Sequence, residues 1–403
     1  MAGEHILIIG GGGTGAAVAY DLTSRGYKVT LVERGELTSG TTGRHHGQLH
    51  SGARYAVGDR EIARECMEEV RILQRIAPQA LEMNYGLFVA TDEEEAAFGD
   101  TFIDACTEAT IPAREIPVEQ ALEMEPLLNP RITRAVQVPD GTLDAWRLPL
   151  HFFAAARAGG ADIRHFTEVT ALHTSGGRVT GARVLDHVSR REYDMEADFL
   201  INAAGAWAEQ ICSMVDIDLP LTPAPGTMVA VDRRVSNMVV SRLHPAGDGD
   251  IIVPQRKLSI IGTTQWYTED PDSILARHED IDFLLERAAE MVPAFAEAGF
   301  HAAWSAVRPL AGRAEDAGGR SLSRNFICID HEAHGGAAGL VSITGGKATV
   351  LRAMAQKTVD TVCARLGDHI PCRTAETPLL PHRAYYNMNL VSASGTGQGG
   401  NAR

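Results

Sequence analysis

The stretch at residues 41–55, TTGRHHGQLHSGARY, holds side chains that can move a proton and bind an anion. Its glycines let the backbone come close to a bound ring system. His50 offers an imidazole, a group that titrates near neutral pH and can accept a proton. Arg54 offers a guanidinium, which can bind an anion through two hydrogen bonds. Together these residues predict one wall of an active site.

The three histidines of this stretch raise the alternative of a metal site. His45, His46 and His50 lie close together, but no cysteine or carboxylate stands near them in sequence to complete a ligand set. We therefore expect no metal.

Upstream of this stretch the sequence predicts a dinucleotide-binding turn. An apolar run at residues 6–9 predicts a strand, and Gly10, Gly12 and Gly15 follow it with G-x-G-x-x-G spacing. Gly10 permits the tight turn and Gly12 admits a pyrophosphate. Gly15 lets the next helix, at residues 16–25, pack against the strand with its N-terminus facing the phosphates.

A second apolar run supports the same motif. Residues 29–32 end at Glu33, the distance at which an acidic side chain binds the ribose hydroxyls of adenosine. A carboxylate there disfavours a 2′-phosphate. These features predict a bound dinucleotide, but by themselves they do not separate FAD from NAD.

Two later blocks of small residues favour a flavin. Residues 199–207 run from an apolar strand into a small-residue turn, and residues 341–347 form a strand that ends in Gly345 and Gly346. A helix at residues 348–366 begins at once. Its N-terminal dipole would point to where a flavin ring becomes negative on reduction.

The composition excludes several classes of function. A net charge of −15 over 403 residues argues against nucleic-acid binding and against unaided adhesion to anionic lipid. No transmembrane span or signal peptide is visible, which predicts a cytoplasmic protein. The six dispersed cysteines contain no C-x-x-C pair, so we expect reduced thiols and no iron–sulfur cluster.

Between the dinucleotide-binding blocks, apolar patterns predict the strands of an inserted mixed sheet. One strand is predicted at residues 163–172 and a long helix at residues 278–291. Residues 392–403 are rich in glycine and serine, so we expect them to be disordered.

Further motifs make the chain resemble a known family. They are residues 39–47 and 50–57, residues 138–142 with Asp144, Arg147 and Leu148, residues 202–207, 262–264 and 307–310, Ser323 with Arg324, and residues 345–347. Their order resembles that of the flavoprotein glycerol-3-phosphate dehydrogenases of the D-amino-acid-oxidase-like fold, most closely the catalytic A subunit of the anaerobic enzyme. The chain differs from that family at Gln48 and Trp146, and we do not expect the additional cysteine-rich C-terminal domain that the family's A subunit usually carries.

The resemblance implies an α/β fold in which a Rossmann-like FAD-binding domain carries an inserted mixed or antiparallel sheet as a substrate cap. The expected boundaries are residues 1–80, 140–215 and 305–372 for the FAD-binding domain, 81–139 and 216–304 for the cap, and 373–403 for a C-terminal extension.

The resemblance also implies which residues hold FAD. The expected contacts are Gly10, Gly12, Gly13, Thr14 and Gly15 at the pyrophosphate, Glu33 and Arg34 at the adenosine, Val169 near the adenine, Thr41, Thr42, Gly47 and Leu49 along the flavin, Ala204, Gly205 and Trp207 closing the pocket, and Gly345, Gly346 and Lys347 at the pyrimidine edge.

The chemistry implied by the resemblance is oxidation of sn-glycerol 3-phosphate to dihydroxyacetone phosphate, with hydride transfer to flavin N5. His50 is the expected base, because a neutral imidazole can accept the hydroxyl proton, and Arg308 is expected beside it at the reaction centre. The expected substrate-binding residues are Arg54, Tyr55, Arg308, Arg324 and Lys347, since arginine matches phosphate oxygens and lysine adds a compact charge.

Two other functions are open at this point. One is a flavin oxidoreductase for a 2-hydroxy acid or an amino acid, whose carboxylate the same arginines would bind. The other is a non-catalytic FAD-binding subunit of an electron-transfer complex. Several basic residues beside a candidate base favour phosphate and catalysis over both.

Reduced flavin must be reoxidised by a partner, because the chain shows neither cluster-ligand spacing nor a basic amphipathic stretch that would reach a membrane quinone. We expect electrons to pass to a quinone-linked or other separate redox subunit, soluble or membrane-associated. Such a partner would hold the chain at the inner face of the cell membrane. Residues 381–391, which include Tyr385, Tyr386, Met388 and Leu390, are the expected docking strip, with packing on the chain's own domain as the alternative.

Overall fold

The structure, a computed structural model, describes residues 3–313, 322 and 325–387. The helices are α1 (Gly13–Ser24), α2 (Arg60–Ile76), α3 (Glu93–Glu108), α4 (Val118–Met124), α5 (Arg147–Ala158), α6 (Ala208–Ser213), α7 (His278–Met291) and α8 (Leu351–Leu366). The strands are β1 (His5–Ile9), β2 (Lys28–Val32), β3 (Gln48–Leu49), β4 (Leu81–Glu82), β5 (Gly86–Ala90), β6 (Arg114–Ile116), β7 (Arg134–Val138), β8 (Gly141–Leu143), β9 (Asp162–Arg164), β10 (Thr167–Ser175), β11 (Arg178–Asp186), β12 (Arg191–Glu196), β13 (Phe199–Asn202), β14 (Leu221–Val231), β15 (Val239–Arg242), β16 (Ile251–Gln255), β17 (Leu258–Gly262), β18 (Phe300–Ala311), β19 (Phe326–Asp330) and β20 (Leu340–Gly345).

A six-stranded sheet in the order β19-β20-β13-β1-β2-β9 forms the first layer. All of its neighbours pair in parallel except the edge strand β19. Parallel strands need cover on both faces, which explains why β1 and β13 are almost wholly apolar. Helices α1, α5 and α8 pack together beside this sheet. On its other side, apolar residues of the three-stranded sheet β10-β11-β12 pack against Leu7 and Leu200.

An eight-stranded sheet in the order β18-β14-β17-β16-β15-β5-β7-β6 forms the second layer. Its pairs are antiparallel apart from β15 with β5. A separate core lies between this sheet and α7, in which Leu284 and Phe295 pack against Val89 and Val229. The small sheet β3-β8-β4 lies beside the second layer, where Gln255 of β16 donates to the carbonyls of Gly47 and Leu143.

The domain boundaries remain a prediction, and most strands fall on the expected side of them. Every strand of the six-stranded sheet lies within residues 1–80, 140–215 or 305–372. Strand β18 crosses the expected boundary between residues 304 and 305, and apart from His301, which lies at a register shift, it pairs with β14 along its length. A second difference concerns residues 163–172, predicted as one strand. They form parts of β9 and β10, which belong to different sheets, because Phe166 turns the chain with a φ of 54°.

The described part of the C-terminal extension packs on the first layer. The backbone N–H of Leu379 donates to the carbonyl of Ile76 at 2.8 Å, and Arg157 donates to the carbonyl of Tyr385 at 2.7 Å. Tyr385 is buried beside Phe153, whereas Tyr386 is exposed. The first half of the docking strip therefore packs on the chain's own fold. Met388, Leu390 and residues 392–403 lie outside the described residues.

In the parts of the chain that the structure describes, no helix is both long enough and apolar enough to cross a membrane.

Candidate active site

A deep cleft runs between the carboxyl ends of the six-stranded sheet and one face of the eight-stranded sheet. This is where parallel α/β sheets bind ligands. The glycine blocks of the two strand ends, at Gly10 and at Gly345, both border it. Segments that are far apart in sequence therefore meet in one site.

The turn after β1 consists of glycines, so it exposes backbone atoms and no side chains to the cleft. Gly10 has a φ of +112°, and a Cβ on it would lie 2.5 Å from the carbonyl oxygen of Ala203. A Cβ on Gly15 would lie 2.0 Å from the carbonyl oxygen of Gly10, so α1 can touch the turn only without one. The N-terminus of α1 faces the cleft with no acidic residue in its first turn. The turn thus forms a cradle suited to a pyrophosphate.

At the far end of this cradle Glu33 is held by the turn itself. Its carboxylate accepts hydrogen bonds from the N–H groups of Gly11, at 2.7 Å, and Gly35, at 2.8 Å. Next to it the Arg34 guanidinium lies 4.6 Å above the Trp207 ring and forms an ion pair with Asp272. A loop from the second layer therefore closes this end of the cleft.

The opposite end of the cleft gathers an imidazole, a phenol and an ammonium. The His50 ring lies 5.4 Å from the Tyr55 ring, and Lys347 Nζ lies 4.4 Å above the same Tyr55 ring. Lys347 reaches this position because Gly345 and Gly346 turn the chain with φ of 82° and 74° before the next helical turn. All three polar side chains border the cleft.

A buried carboxylate holds the segment that carries His50. Asp140 accepts hydrogen bonds from the Ser51 backbone N–H at 2.7 Å and from Gln48 Nε2 at 2.9 Å. Burial raises the pKa of Asp140 above its ordinary value despite these donors. The backbone N–H of His50 itself donates to Thr349 Oγ1 at 3.1 Å. The position of the imidazole is thus fixed from two sides.

The two histidines that precede this segment bond to its backbone. His45 Nδ1 accepts the N–H of Gly47 at 2.9 Å, and His46 Nδ1 accepts the N–H of Gln48 at 3.1 Å. Burial lowers the pKa of His45 to about 4, against a smaller opposing effect of the Asp144 charge. Among the described residues, no three histidine, cysteine or acidic side chains converge as a metal site.

Two arginines reach the cleft from different layers. Arg308, on β18, donates to the carbonyls of Thr264 at 2.9 Å and Ala224 at 3.3 Å and to the Thr263 hydroxyl. Arg54 donates through Nη2 to the carbonyl of Gly247 and to Asp250 Oδ2, each at 2.8 Å. Arg54 is thus anchored through Nη2 alone and Arg308 through both terminal nitrogens, and both side chains border the cleft.

The structure brings most of the predicted site residues together. Those that border the cleft are Gly10, Gly12, Gly13, Thr14, Glu33, Arg34, Thr41, Thr42, His50, Arg54, Tyr55, Val169, Ala204, Gly205, Trp207, Arg308, Gly345, Gly346 and Lys347. Thr42 Oγ1 accepts the N–H of Gly13 at 3.0 Å, which ties residues 41–55 to the cradle.

Three residues predicted as cofactor contacts lie behind the wall of the cleft. Gly15 packs on the turn after β1, and Gly47 packs against Gln255 and the carbonyl of Leu143. Leu49 is fully buried, because side chains alternate along a strand and it is Gln48 that borders the cleft. Arg324, predicted to bind substrate, lies outside the described residues.

The sequence did not indicate several residues that lie in the wall of the cleft or directly behind it. Asp250, behind the wall, and Gly247 hold Arg54, Thr263 contacts Arg308, and Asp272 pairs with Arg34. The one available signal was the run GDGD at residues 247–250, which directly precedes the apolar run IIVP at residues 251–254.

Three buried polar atoms in the cleft test whether a dinucleotide fits. Gln48 Oε1, Arg54 Nη1 and Trp207 Nε1 are each buried without a hydrogen-bond partner within the described structure, although their residues border the cleft. Such atoms cost free energy unless a ligand meets them. With the glycine cradle at one end and the carboxylate of Glu33 beside it, the residues fit FAD.

Comparison with known proteins agrees with this fit. The family model for FAD dependent oxidoreductases, DAO, matches residues 5–352. The A subunit of the anaerobic glycerol-3-phosphate dehydrogenase of Escherichia coli (strain K12) is 42% identical over 379 residues, which are 93% of this chain and 70% of that protein.

Two solved structures share the fold. Glycerol-3-phosphate dehydrogenase from Bacillus halodurans, complexed with FAD, has a TM-score of 0.71 at 24% identity and covers 97% of this chain and 71% of its own. L-α-glycerophosphate oxidase from Mycoplasma pneumoniae, with FAD bound, has a TM-score of 0.74 at 20% identity and covers 94% of this chain and 100% of its own. The predicted cofactor and fold class are confirmed. The chain belongs to the DAO family of FAD-dependent oxidoreductases and, within it, to the flavin-dependent glycerol-3-phosphate dehydrogenases.

Proposed function

We propose that the chain oxidises sn-glycerol 3-phosphate to dihydroxyacetone phosphate, with the chemistry carried out at the end of the cleft that holds His50. When bound, FAD supplies an acceptor for the hydride that leaves the secondary alcohol carbon. The observation that carries the proposal is the group of three cationic side chains, Arg54, Arg308 and Lys347, around a cleft that also contains an imidazole.

His50 is the proposed general base. Its ring borders the cleft, and Asp140 and Thr349 hold the backbone on either side of it. A neutral imidazole within hydrogen-bond reach of the substrate hydroxyl would take that proton on a ring nitrogen as the carbon–hydrogen bond breaks. Tyr55, beside His50, would offer a neutral hydrogen-bond partner to the substrate.

The cationic groups would bind the substrate phosphate. Arg54 and Arg308 supply planar donor groups that match phosphate oxygens, and Lys347 adds a compact charge. Arg54 is anchored through Nη2, and Arg308 is anchored through both terminal nitrogens, so each guanidinium is oriented before the substrate arrives. Local positive charge also draws an anion into a protein whose overall charge is −15.

A substrate panel with an artificial dye as electron acceptor tests the proposal. We expect dye reduction with sn-glycerol 3-phosphate and little with glycerol, L-lactate or glycine. Equal rates with glycerol would exclude a phosphate-binding role for the cationic group. Activity with lactate or glycine instead would identify a carboxylate-specific enzyme, and bound FAD without activity on any of the four would identify a non-catalytic subunit.

We further propose that electrons leave this chain for separate redox subunits, which hold it at the inner face of the cell membrane. The support is that the Escherichia coli relative is named as one subunit of its enzyme. Removing residues 388–403 should leave dye-linked activity intact and reduce co-purification with partners, since Ala384 and Tyr385 before them are buried in the chain's own fold. Full quinone reduction in liposomes by the isolated chain would contradict this part.

A further inference from the structure

One loop, residues 244–250 between β15 and β16, contacts the anchors of both cleft arginines. The carbonyl of Gly247 and the carboxylate of Asp250 accept hydrogen bonds from Arg54 Nη2. The N–H of Gly249 donates to the carbonyl of Thr263 at 3.2 Å, and the hydroxyl of Thr263 accepts a hydrogen bond from Arg308. The loop therefore contacts one guanidinium group directly and the other through Thr263, although the two arginines come from different layers of the fold.

Asp250 is the residue through which the loop is most firmly held. Its side chain is fully buried and accepts hydrogen bonds from Arg54 Nη2 at 2.8 Å, His244 Nε2 at 3.0 Å and the N–H of Gly247, while Arg287 Nη2 lies 4.0 Å away. Burial alone would raise the pKa of Asp250, but the hydrogen bonds and charges of His244 and Arg54 outweigh it and leave the pKa below its ordinary value. The carboxylate therefore stays ionised beside Arg54.

Only one of the two terminal nitrogens of Arg54 is hydrogen-bonded to the loop. The side chain is only 6% exposed, and Nη2 is taken up by the loop. Nη1 is buried and meets no hydrogen-bond partner in the described structure, although Arg54 borders the cleft. A guanidinium held in this way presents one pair of donors to an incoming anion without having to choose among side-chain rotamers.

We propose that Asp250 is a positioning residue for the reaction: it fixes Arg54 through the loop so that Nη1 meets the anionic group of the substrate. The inference rests on the proposed function, because it takes Arg54 as a ligand of the substrate phosphate. Asp250 acts through Arg54 and does not itself contact the substrate.

The direction in which KM changes in Asp250→Asn distinguishes a positioning role from a purely electrostatic one. Replacing Asp250 by asparagine removes a negative charge next to an anion site, which by charge alone would tighten substrate binding. A positioning role predicts the opposite, since Arg54 would lose its fixed orientation. Asp248→Asn removes the same charge from the same loop, and Asp248 takes no part in the two hydrogen bonds that hold Arg54, so it serves as the matched control.

The experiment is a double-mutant cycle on the FAD-loaded protein with dye as acceptor. We expect Asp250→Asn to raise KM for sn-glycerol 3-phosphate roughly tenfold and to change kcat by less than about threefold, the loss typical of one charge-assisted hydrogen bond. In an Arg54→Ala background the same substitution should change KM by less than about twofold, because nothing remains to be positioned. Asp248→Asn should not raise KM.

Two outcomes would overturn the inference: an unchanged or lowered KM in Asp250→Asn, or the same rise in KM with and without Arg54. If Asp250→Asn does not retain flavin, His244→Ala removes one donor from Asp250 at a partly exposed position and should raise KM about threefold only when Arg54 is present. An equal effect in both backgrounds would again exclude positioning. If the unmodified protein does not oxidise sn-glycerol 3-phosphate, the proposed function fails, and the same cycle is measured as binding of inorganic phosphate, followed by flavin absorbance.

Discussion

The two ends of the cleft are built from different parts of the polypeptide. At the end that holds the glycine cradle the wall is backbone, and the sequence supplies it by leaving side chains out at Gly10, Gly12 and Gly15. At the proposed substrate end, which holds His50, the wall is made of charged side chains that reach in from separate elements. Arg54 and its partner Asp250, for example, are 196 positions apart in sequence.

This difference determines how each end responds to change. A backbone cradle fails when an atom is added, because the close contacts at Gly10 and Gly15 leave no room for a Cβ. A cluster of side chains fails when an atom is removed, because each buried group depends on the partner that satisfies it. Substitutions at the two ends of the cleft should therefore act in opposite ways, through an added atom at the cradle and through a lost atom beside His50.

The largest effect is expected at the substrate end, from His50→Ala. Loss of a general base typically lowers turnover by about 10² to 10⁴. Flavin content should stay unchanged, because the substitution only shortens a side chain beside Tyr55 and leaves the backbone hydrogen bond from His50 to Thr349 in place. Stopped-flow reduction of the flavin by sn-glycerol 3-phosphate measures the step directly. A reduction rate within threefold of the unmodified protein would assign the proton to another group.

Arg308→Ala should mainly weaken substrate binding. Its guanidinium is held by the carbonyls of Thr264 and Ala224, so the substitution removes a charged group that is already oriented toward the cleft. We expect KM for sn-glycerol 3-phosphate to rise about 10- to 100-fold, the cost of hydrogen bonds between charged groups. Arg308→Lys keeps the charge but loses the planar donor group, and should give a smaller rise. Steady-state kinetics with dye compares the two, and identical KM values in both variants would argue against paired hydrogen bonds.

The sequence predicted the backbone end better than the side-chain end for a physical reason. The cradle is local: strand, glycines, helix and Glu33 lie within residues 5–33, so their spacing can be read directly. Gly345 and Gly346 were found in the same way, and both glycine blocks border one cleft. The family resemblance then supplied Arg54, Arg308 and Lys347, which the pattern of residues could only offer as candidates.

Sequence and structure differ where tertiary contacts decide. Leu49 stays a predicted flavin contact, but the alternation of strand β3 turns its side chain into the core and turns Gln48 to the cleft. Strand β18, which carries Arg308, was not predicted because its sequence is rich in alanine and contains Pro309, and pairing with β14 determines its structure. No local pattern could pair Asp250 with Arg54.

At the backbone end, Gly15→Ala should weaken FAD binding. The new Cβ would lie 2.0 Å from the carbonyl oxygen of Gly10, so the turn or α1 has to move. Overpacking of this kind costs about 1–3 kcal/mol, which corresponds to roughly a 5- to 160-fold weaker Kd for FAD. Gly58→Ala is the matched control, because nothing lies within 4 Å of a Cβ at that position. Titration of deflavinated protein with FAD measures both variants, and equal Kd values would show that the turn is not close-packed.

The smallest effect is expected at His45, where the stretch of residues 41–55 crosses from one end of the cleft to the other. Burial lowers the pKa of this imidazole from 6.5 to about 4, so the folded protein keeps it neutral while the unfolded chain protonates it as the pH falls below 6.5. The free energy of unfolding should therefore decrease between about pH 6.5 and pH 4 and should not change further from this group outside that range. We expect a contribution of about 1–3 kcal/mol.

His45→Gln should remove this part of the acid sensitivity, because its amide oxygen can still accept the N–H of Gly47 but does not titrate. Thermal unfolding of the FAD-loaded protein at pH 7.5 and pH 5 provides the measurement, with His301→Gln, at an exposed position on β18, as the control. The difference between the two pH values should shrink only in His45→Gln. If it shrinks equally in both variants, the acid sensitivity comes from general titration of histidines, and the wall of the cleft at His45 is open to water.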